Sequence, residues 1–233
     1  MENSYIVASS KAWHSAEFDA IKSQEDGSWT YVASPDALLR SVNEVLGLRY
    51  IFFLHWSWHV PAEIWSRHEC VCFHMTDVPY GRGGSPLQNL IVRGQKNTKL
   101  SALRMVNEID AGPVYAKRDL SLHGRAEEIY LRAGRLSFEI IRWIIENEPL
   151  PEPQQGEIVH FKRRKPEQSE LPTTGLLETL YDHIRMLDAP SYPQAFIERG
   201  GFRIEFSGAQ LEGDELVAQV VIRKKPTDEE TES

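Results

Sequence analysis

A chain of 233 residues with an apolar fraction of 41% suits one large domain, or one domain with a smaller appendage, and can bury a sizeable core. Its net charge of −8 argues against broad attraction to nucleic acid or anionic membrane, and a small-molecule substrate is the expectation. No apolar run approaches the roughly 18 residues a bilayer demands, and the start, MENSYIVASS, lacks a secretory signal. The two cysteines, Cys70 and Cys72, cannot form a disulfide framework, so a reducing cytoplasm is expected.

Tyr5-Ile-Val-Ala8 predicts a first strand, followed by a turn at Ser9-Ser10-Lys11 and a short helix around Glu17 to Ser23. Thr30-Tyr-Val32 predicts a second strand. Pro35-Asp36 opens a helix in which Leu38, Leu39, Val42, Val45 and Leu46 recur at helical spacing. Arg49 to Leu54 is an apolar run of strand length, suited to a parallel strand buried on both faces. Pro61 to Trp65 predicts a short helix, Cys70 to His74 a strand, and Ser85-Pro86 a helix ended by Arg93-Gly94. Strands are predicted at Lys99 to Val106 and Val114 to Leu120, and a long helix over 125–147 with Ile129, Ala133, Leu136, Ile140 and Ile144 on one stripe.

Strands alternating with helices indicate an α/β architecture with a largely parallel sheet. Pro149 to Gly156 is a linker by composition. The expected domains are therefore a core over 1–150, a small C-terminal α+β extension over 151–225, and a disordered tail over 226–233. In the extension, Leu177, Leu180, Tyr181, Ile184 and Leu187 predict a helix, and Phe202 to Phe206 and Leu216 to Arg223 predict strands.

The most informative stretch is Cys72-Phe-His-Met-Thr-Asp-Val-Pro-Tyr-Gly-Arg-Gly-Gly-Ser-Pro86, answered by Ile109-Asp-Ala-Gly-Pro113. His74 sits where a strand stops, the side on which open α/β sheets bind ligands. Gly81, Gly83 and Gly84 permit close backbone approach, and Arg82 can meet an anion. His68, Cys70, Cys72 and His74 share one face of a strand, which raises a zinc site. Six residues of strand span about 20 Å, however, while zinc ligands lie within about 2.0–2.3 Å of the ion. Small-residue sheet packing is the preferred reading for the cysteines, and no metal is expected.

His74 through Pro86 resembles the H-x-x-x-x-P-x-x-R-G-x-x-P loop of formyltransferases that use 10-formyltetrahydrofolate. In that family the catalytic Asp lies 36 residues beyond the His and opens an Asp-Gly/Thr/Ala-Gly turn; Asp110 lies 36 beyond His74 and opens Asp-Ala-Gly-Pro. Phe53-Leu-His-Trp-Ser-Trp-His-Val-Pro61 resembles the loop that holds the pterin head group. Phe161 to Pro166 and Ile184 to Phe196 resemble post-core parts of the sugar-nucleotide branch, so the likeness covers about residues 50–200.

The resemblance implies a Rossmann-like, mostly parallel core. It implies His74 as the base, Asp110 as its partner, and Cys72 at the position where the family places an Asn that serves the oxyanion. With that Asn replaced, His74 once protonated, a backbone group, Thr76 or Gln88 are the candidates for the oxyanion. It implies a donor site at His55, Trp56, Trp58, Val60 and Asp110; acceptor contacts are expected from Thr76, Asp77, Arg82, Gly83, Gly84 and Ser85, and, on side-chain chemistry alone, from Arg185 to a phosphate and Tyr192 stacked on a nucleotide base. The expected reaction moves a formyl group to the amine of a UDP-linked 4-amino-4,6-dideoxy sugar, as in pseudaminic acid-type pathways, with folate and the nucleotide sugar as partners and a homodimer left open. Two alternatives stand: formylation of methionyl-tRNA, disfavoured by net charge, and a non-catalytic folate- or nucleotide-binding homologue, suggested by Cys72.

Overall fold

A computed structural model of the chain describes residues 3–190 and 192–225, and the predicted tail, 226–233, lies outside the described residues. In chain order the elements are β1 (Ser4–Ser9), α1 (Ser15–Gln24), β2 (Ser28–Val32), α2 (Pro35–Glu44), β3 (Leu48–Leu54), α3 (Ala62–Trp65), β4 (Cys70–His74) and β5 (Tyr80–Gly83). There follow α4 (Pro86–Val92), β6 (Asn97–Arg104), β7 (Val114–Ser121), α5 (Ala126–Asn147), β8 (Val159–Phe161), α6 (Leu177–Arg185), β9 (Ala195–Arg199), β10 (Phe202–Glu212) and β11 (Glu215–Lys224). No described helix is long and apolar enough to cross a membrane.

The described residues fall into two units. One contains the chain up to Pro86 with Asn97–Ser121 and Tyr130–Phe161; the other contains Leu87–Lys96, Leu122–Ile129 and the chain from Lys162. The division placed by composition at 150 and 151 thus falls inside the first unit. Residues 149–156 are not a free linker. Glu152 exchanges two backbone hydrogen bonds with Val114, at 2.7 and 2.8 Å. Proline and glycine exclude helix there, but they do not prevent anchoring by hydrogen bonds.

The first unit is built on a six-stranded sheet in the order β2-β1-β3-β4-β6-β7. The first four strands run parallel, while β6 pairs antiparallel with both β4 and β7. The fold is α/β, as its sequence alternation indicates. β1 is buried along its whole length, and β3 from Tyr50 to Leu54, because Ile6, Val7, Ile51 and Phe52 leave no polar face to expose. The β6–β7 pair is antiparallel because the nine-residue turn 105–113 between them is too short for a parallel crossover. That turn holds Asp110 close to the end of β4.

Ser34 caps α2 by accepting from the Ala37 amide, and Pro35 occupies its first turn. Val45 and Leu46, expected on that helix, lie beyond it. Gly47 has φ +67°, and Leu46 is 84% exposed with its carbonyl accepting from the Ser4 hydroxyl. In the second unit α6 accompanies an antiparallel sheet in the order β11-β10-β9. β9 is not apparent in the sequence, because a five-residue strand after a proline turn offers too little pattern.

Candidate active site

His74 closes β4 and is 7% exposed. Its Nε2 lies 2.7 Å from the Gly81 carbonyl oxygen, and its Nδ1 lies 3.5 Å from Oδ2 of Asp110. Both ring nitrogens therefore face acceptors. With the hydrogen on Nε2 donated to Gly81, Nδ1 presents its lone pair on the Asp110 side. A ring that gains a second hydrogen there is met by the carboxylate. This is the geometry of a proton acceptor whose product is stabilised by its neighbour.

The Gly-rich turn fixes the acid as well as the histidine. Asp110 adopts φ +55°, and its Oδ2 accepts from the Gly83 amide at 2.9 Å. Gly83 has φ +107°, and a Cβ at that position would lie 2.5 Å from the Phe161 carbonyl oxygen, so only glycine fits. β5 pairs with β8 at this point, and Gly84 donates to the same Phe161 carbonyl.

Arg82 is 7% exposed. Its Nε and Nη2 both donate to Oε1 of Gln154, and Nη1 donates to Glu108. Gln154 in turn donates to the carbonyls of Asp110 and Gly112. The guanidinium expected to meet a substrate anion is thus spent inside the protein, bracing the Asp110 turn. Neither Gln154 nor Glu108 was singled out in the sequence. Gln154 lies 72 residues from Arg82 in a proline-rich stretch, and nothing local signals it.

Cys72 stands two residues before His74, half-buried and packed against the core cluster of Ile6, Ile51, Phe53 and Val60. Burial, and then the Asp110 charge, push its thiol far above the ordinary thiol range. The thiol is therefore a weak hydrogen-bond donor, not a thiolate.

Among the expected acceptor contacts, Thr76 has no exposed surface and its hydroxyl donates to the Gly81 carbonyl, so it supports the turn without reaching a ligand. Asp77 is exposed and paired with Lys117 at 2.6 Å. Ser85 sits at φ +50° in the turn that enters α4. Arg185 and Tyr192 belong to the second unit. Arg185 is 3% exposed and bonds Asp182 and the carbonyls of Leu122 and Gly124, so its guanidinium is engaged inside that unit. Tyr192 lines a cleft of about 430 Å³ with Glu127, Asp188 and Arg223. Gln88 donates to the Met186 carbonyl, also within the second unit.

At the end of β3, Trp56 packs edge-on against Phe53 and against Trp58, with ring centroids 5.8 and 4.9 Å apart. Trp58 is 45% exposed. Val60 is 4% exposed and belongs to the core cluster, so its side chain is withdrawn from any ligand surface. His55 adopts φ +47° and faces His14 at 2.9 Å. Burial lowers the pKa of His14 to about 4; burial, then the neighbouring His14 and Lys11, lower that of His55 to about 3. Among the described residues, no group of three or more His, Cys, Asp or Glu side chains could hold a metal ion.

A mostly parallel α/β sheet, with His74 at the end of β4 facing Asp110 of the 105–113 turn, defines an α/β protein of this fold class. A structure of methionyl-tRNA formyltransferase from Clostridium thermocellum is 43% identical, covers 95% of this chain and 99% of its own, and superposes with a TM-score of 0.90. The chain belongs to the formyltransferase family. Within that family its likeness runs to the methionyl-tRNA formyltransferases. The family described as "Methionyl-tRNA formyltransferase, C-terminal domain" matches residues 166–223. The methionyl-tRNA formyltransferase of Sorangium cellulosum (strain So ce56) is 29% identical over 155 residues, 64% of this chain and 49% of that protein. The chain spans about half the length of the curated relatives it matches. HypX from Aquifex aeolicus in complex with tetrahydrofolic acid is 17% identical over 88% of this chain and 37% of its own, with a TM-score of 0.71, a likeness of fold.

These relatives overturn the nucleotide-sugar acceptor expected from the sequence. That expectation rested on the likeness of Phe161–Pro166 and Ile184–Phe196 to the sugar-nucleotide branch, whereas the matched methionyl-tRNA formyltransferase C-terminal family covers 166–223.

Proposed function

We propose that the chain transfers a formyl group from 10-formyltetrahydrofolate to the amino group of methionyl-tRNA. The observation that carries this reading is the His74–Asp110 pair, 3.5 Å apart, in a chain 43% identical to a methionyl-tRNA formyltransferase over nearly its whole length. The folate supplies an electrophilic formyl carbon. The acceptor amine forms the new C–N bond and must lose a proton as the bond to the folate nitrogen breaks. Nδ1 of His74 takes that proton, and the Asp110 carboxylate stabilises the imidazolium so formed. The proton then leaves on the folate nitrogen, giving the formamide and tetrahydrofolate. The Gly81 carbonyl holds the ring so that Nδ1, not Nε2, is the basic nitrogen.

The aromatic loop fits a flat ligand. Trp58 offers an exposed indole beside Trp56, and the buried Nε1 of Trp56 and Nε2 of His55 have no hydrogen-bond partner among the described residues. Cys72 favours a second reading, a homologue that binds folate without transferring the group, since a thiol stands where the family places an amide. Incubation with 10-formyltetrahydrofolate and charged initiator tRNA separates the two. Formylmethionyl-tRNA that disappears with His74→Asn supports transfer, and folate binding without product supports the second reading.

A further inference from the structure

His14 and His55 come from segments 41 residues apart and meet inside the first unit, with Nε2 of one 2.9 Å from Nδ1 of the other and the rings 25° from parallel. His14 has no exposed surface and packs on Phe138 of α5. The helix makes room for it. A Cβ at Gly134 would lie 2.8 Å from Cε1 of His14, which accounts for a glycine in a helix interior, where alanine is otherwise preferred. His55 holds a left-handed conformation that a non-glycine residue adopts only when its surroundings enforce it. Two further contacts fasten the same segment: the Ser10 hydroxyl donates to the His55 carbonyl at 2.7 Å and lies 3.0 Å from the Ser57 hydroxyl.

We infer that His14 is a positioning residue for the His55–Trp58 loop, its N–H···N bond to His55 setting the Trp56 and Trp58 indoles that receive the folate donor. The ligand part rests on the function proposed above; the loop part does not. Burial keeps both imidazoles neutral, so the pair shares one hydrogen and each ring's role is fixed by the other. Phenylalanine at position 14 would keep the ring volume and remove the bond. Glutamine, whose amide both donates and accepts, would restore a partner for Nδ1 of His55.

The test uses the full chain with His14→Phe and His14→Gln, read by the indole ¹⁵N–¹H resonances of Trp56 and Trp58 and by tetrahydrofolate binding through tryptophan fluorescence. His14→Phe is expected to shift both indole resonances and weaken tetrahydrofolate about tenfold, with KM for the donor rising and kcat within about twofold. His14→Gln is expected to recover both. A folded His14→Phe protein with unmoved indole resonances overturns the inference. Should wild type bind no tetrahydrofolate, the proposed function fails while the resonances still decide the role of His14. Should His14→Phe not fold, wild-type imidazole ¹⁵N spectra at neutral pH decide instead: a shared N–H···N hydrogen supports the pair, and two independent solvent-exchanging rings contradict it.

Discussion

Oδ2 of Asp110 accepts the Gly83 amide at 2.9 Å and lies 3.5 Å from Nδ1 of His74. One oxygen thus joins the glycine turn to the histidine, and the turn sets the distance across which the pair works. Gly83→Ala forces a side chain into the left-handed region and against the Phe161 carbonyl. The expected cost is about 1–3 kcal/mol from strain alone, read as a lower denaturation midpoint, with formyl transfer falling at least about tenfold as the acid loses its anchor.

If His74 and Asp110 act as one unit, each single substitution to Asn removes most of the activity and the double substitution costs little more. General base catalysis contributes about 10²–10⁴ in rate, and each single variant should lose kcat/KM within that range. Kinetics on the three variants check this; losses that multiply would mean the two residues act separately.

Gln154→Ala strips Arg82 of two of its hydrogen bonds and leaves the Asp110 and Gly112 carbonyls without their donor. Leaving buried groups unpaired costs about 1–3 kcal/mol. Urea unfolding should show that loss, and activity should fall without a change in the pH profile, since Gln154 carries no proton to the reaction.

The buried pair His14 and His55 makes the protein sensitive to acid. Both titrate well below an ordinary histidine, near 4 and 3, so the unfolded chain binds more protons between about pH 3 and 6.5. Their contribution is intact above that range and drains away as pH falls toward 4 and then 3. Thermal unfolding from pH 7 to 4 should show a falling Tm, and His14→Gln should flatten the slope.

Burial raises the Cys70 thiol to about 12 and the Cys72 thiol further. Neither is a thiolate at pH 8, so a thiol reagent should leave both unmodified in the native protein and label both in denaturant.

How far the sequence foretold this is clearest residue by residue. The parallel strands were legible because Ile51 to Leu54 and Tyr5 to Ala8 are apolar on both faces. The meeting of His74 and Asp110 was legible because His74 ends a strand and Asp110 opens a glycine turn at a definite spacing from it. Gln154 was not, since its partners lie 42, 44 and 72 residues away and composition says only that its segment is irregular. Arg82 and Arg185 read as ligand contacts because charged residues are ordinarily exposed; both are buried and bonded within the protein. The sugar acceptor was misjudged because short post-core likenesses at Phe161–Pro166 and Ile184–Phe196 were outweighed by the family match over 166–223.

The most direct measurement is formyl transfer from 10-formyltetrahydrofolate to charged initiator methionyl-tRNA by the full chain, beside His74→Asn. The account predicts formylmethionyl-tRNA with wild type and a loss of about 10²-fold or more with the variant. Product formed equally well by both proteins, or no product with wild type despite bound folate, would contradict it.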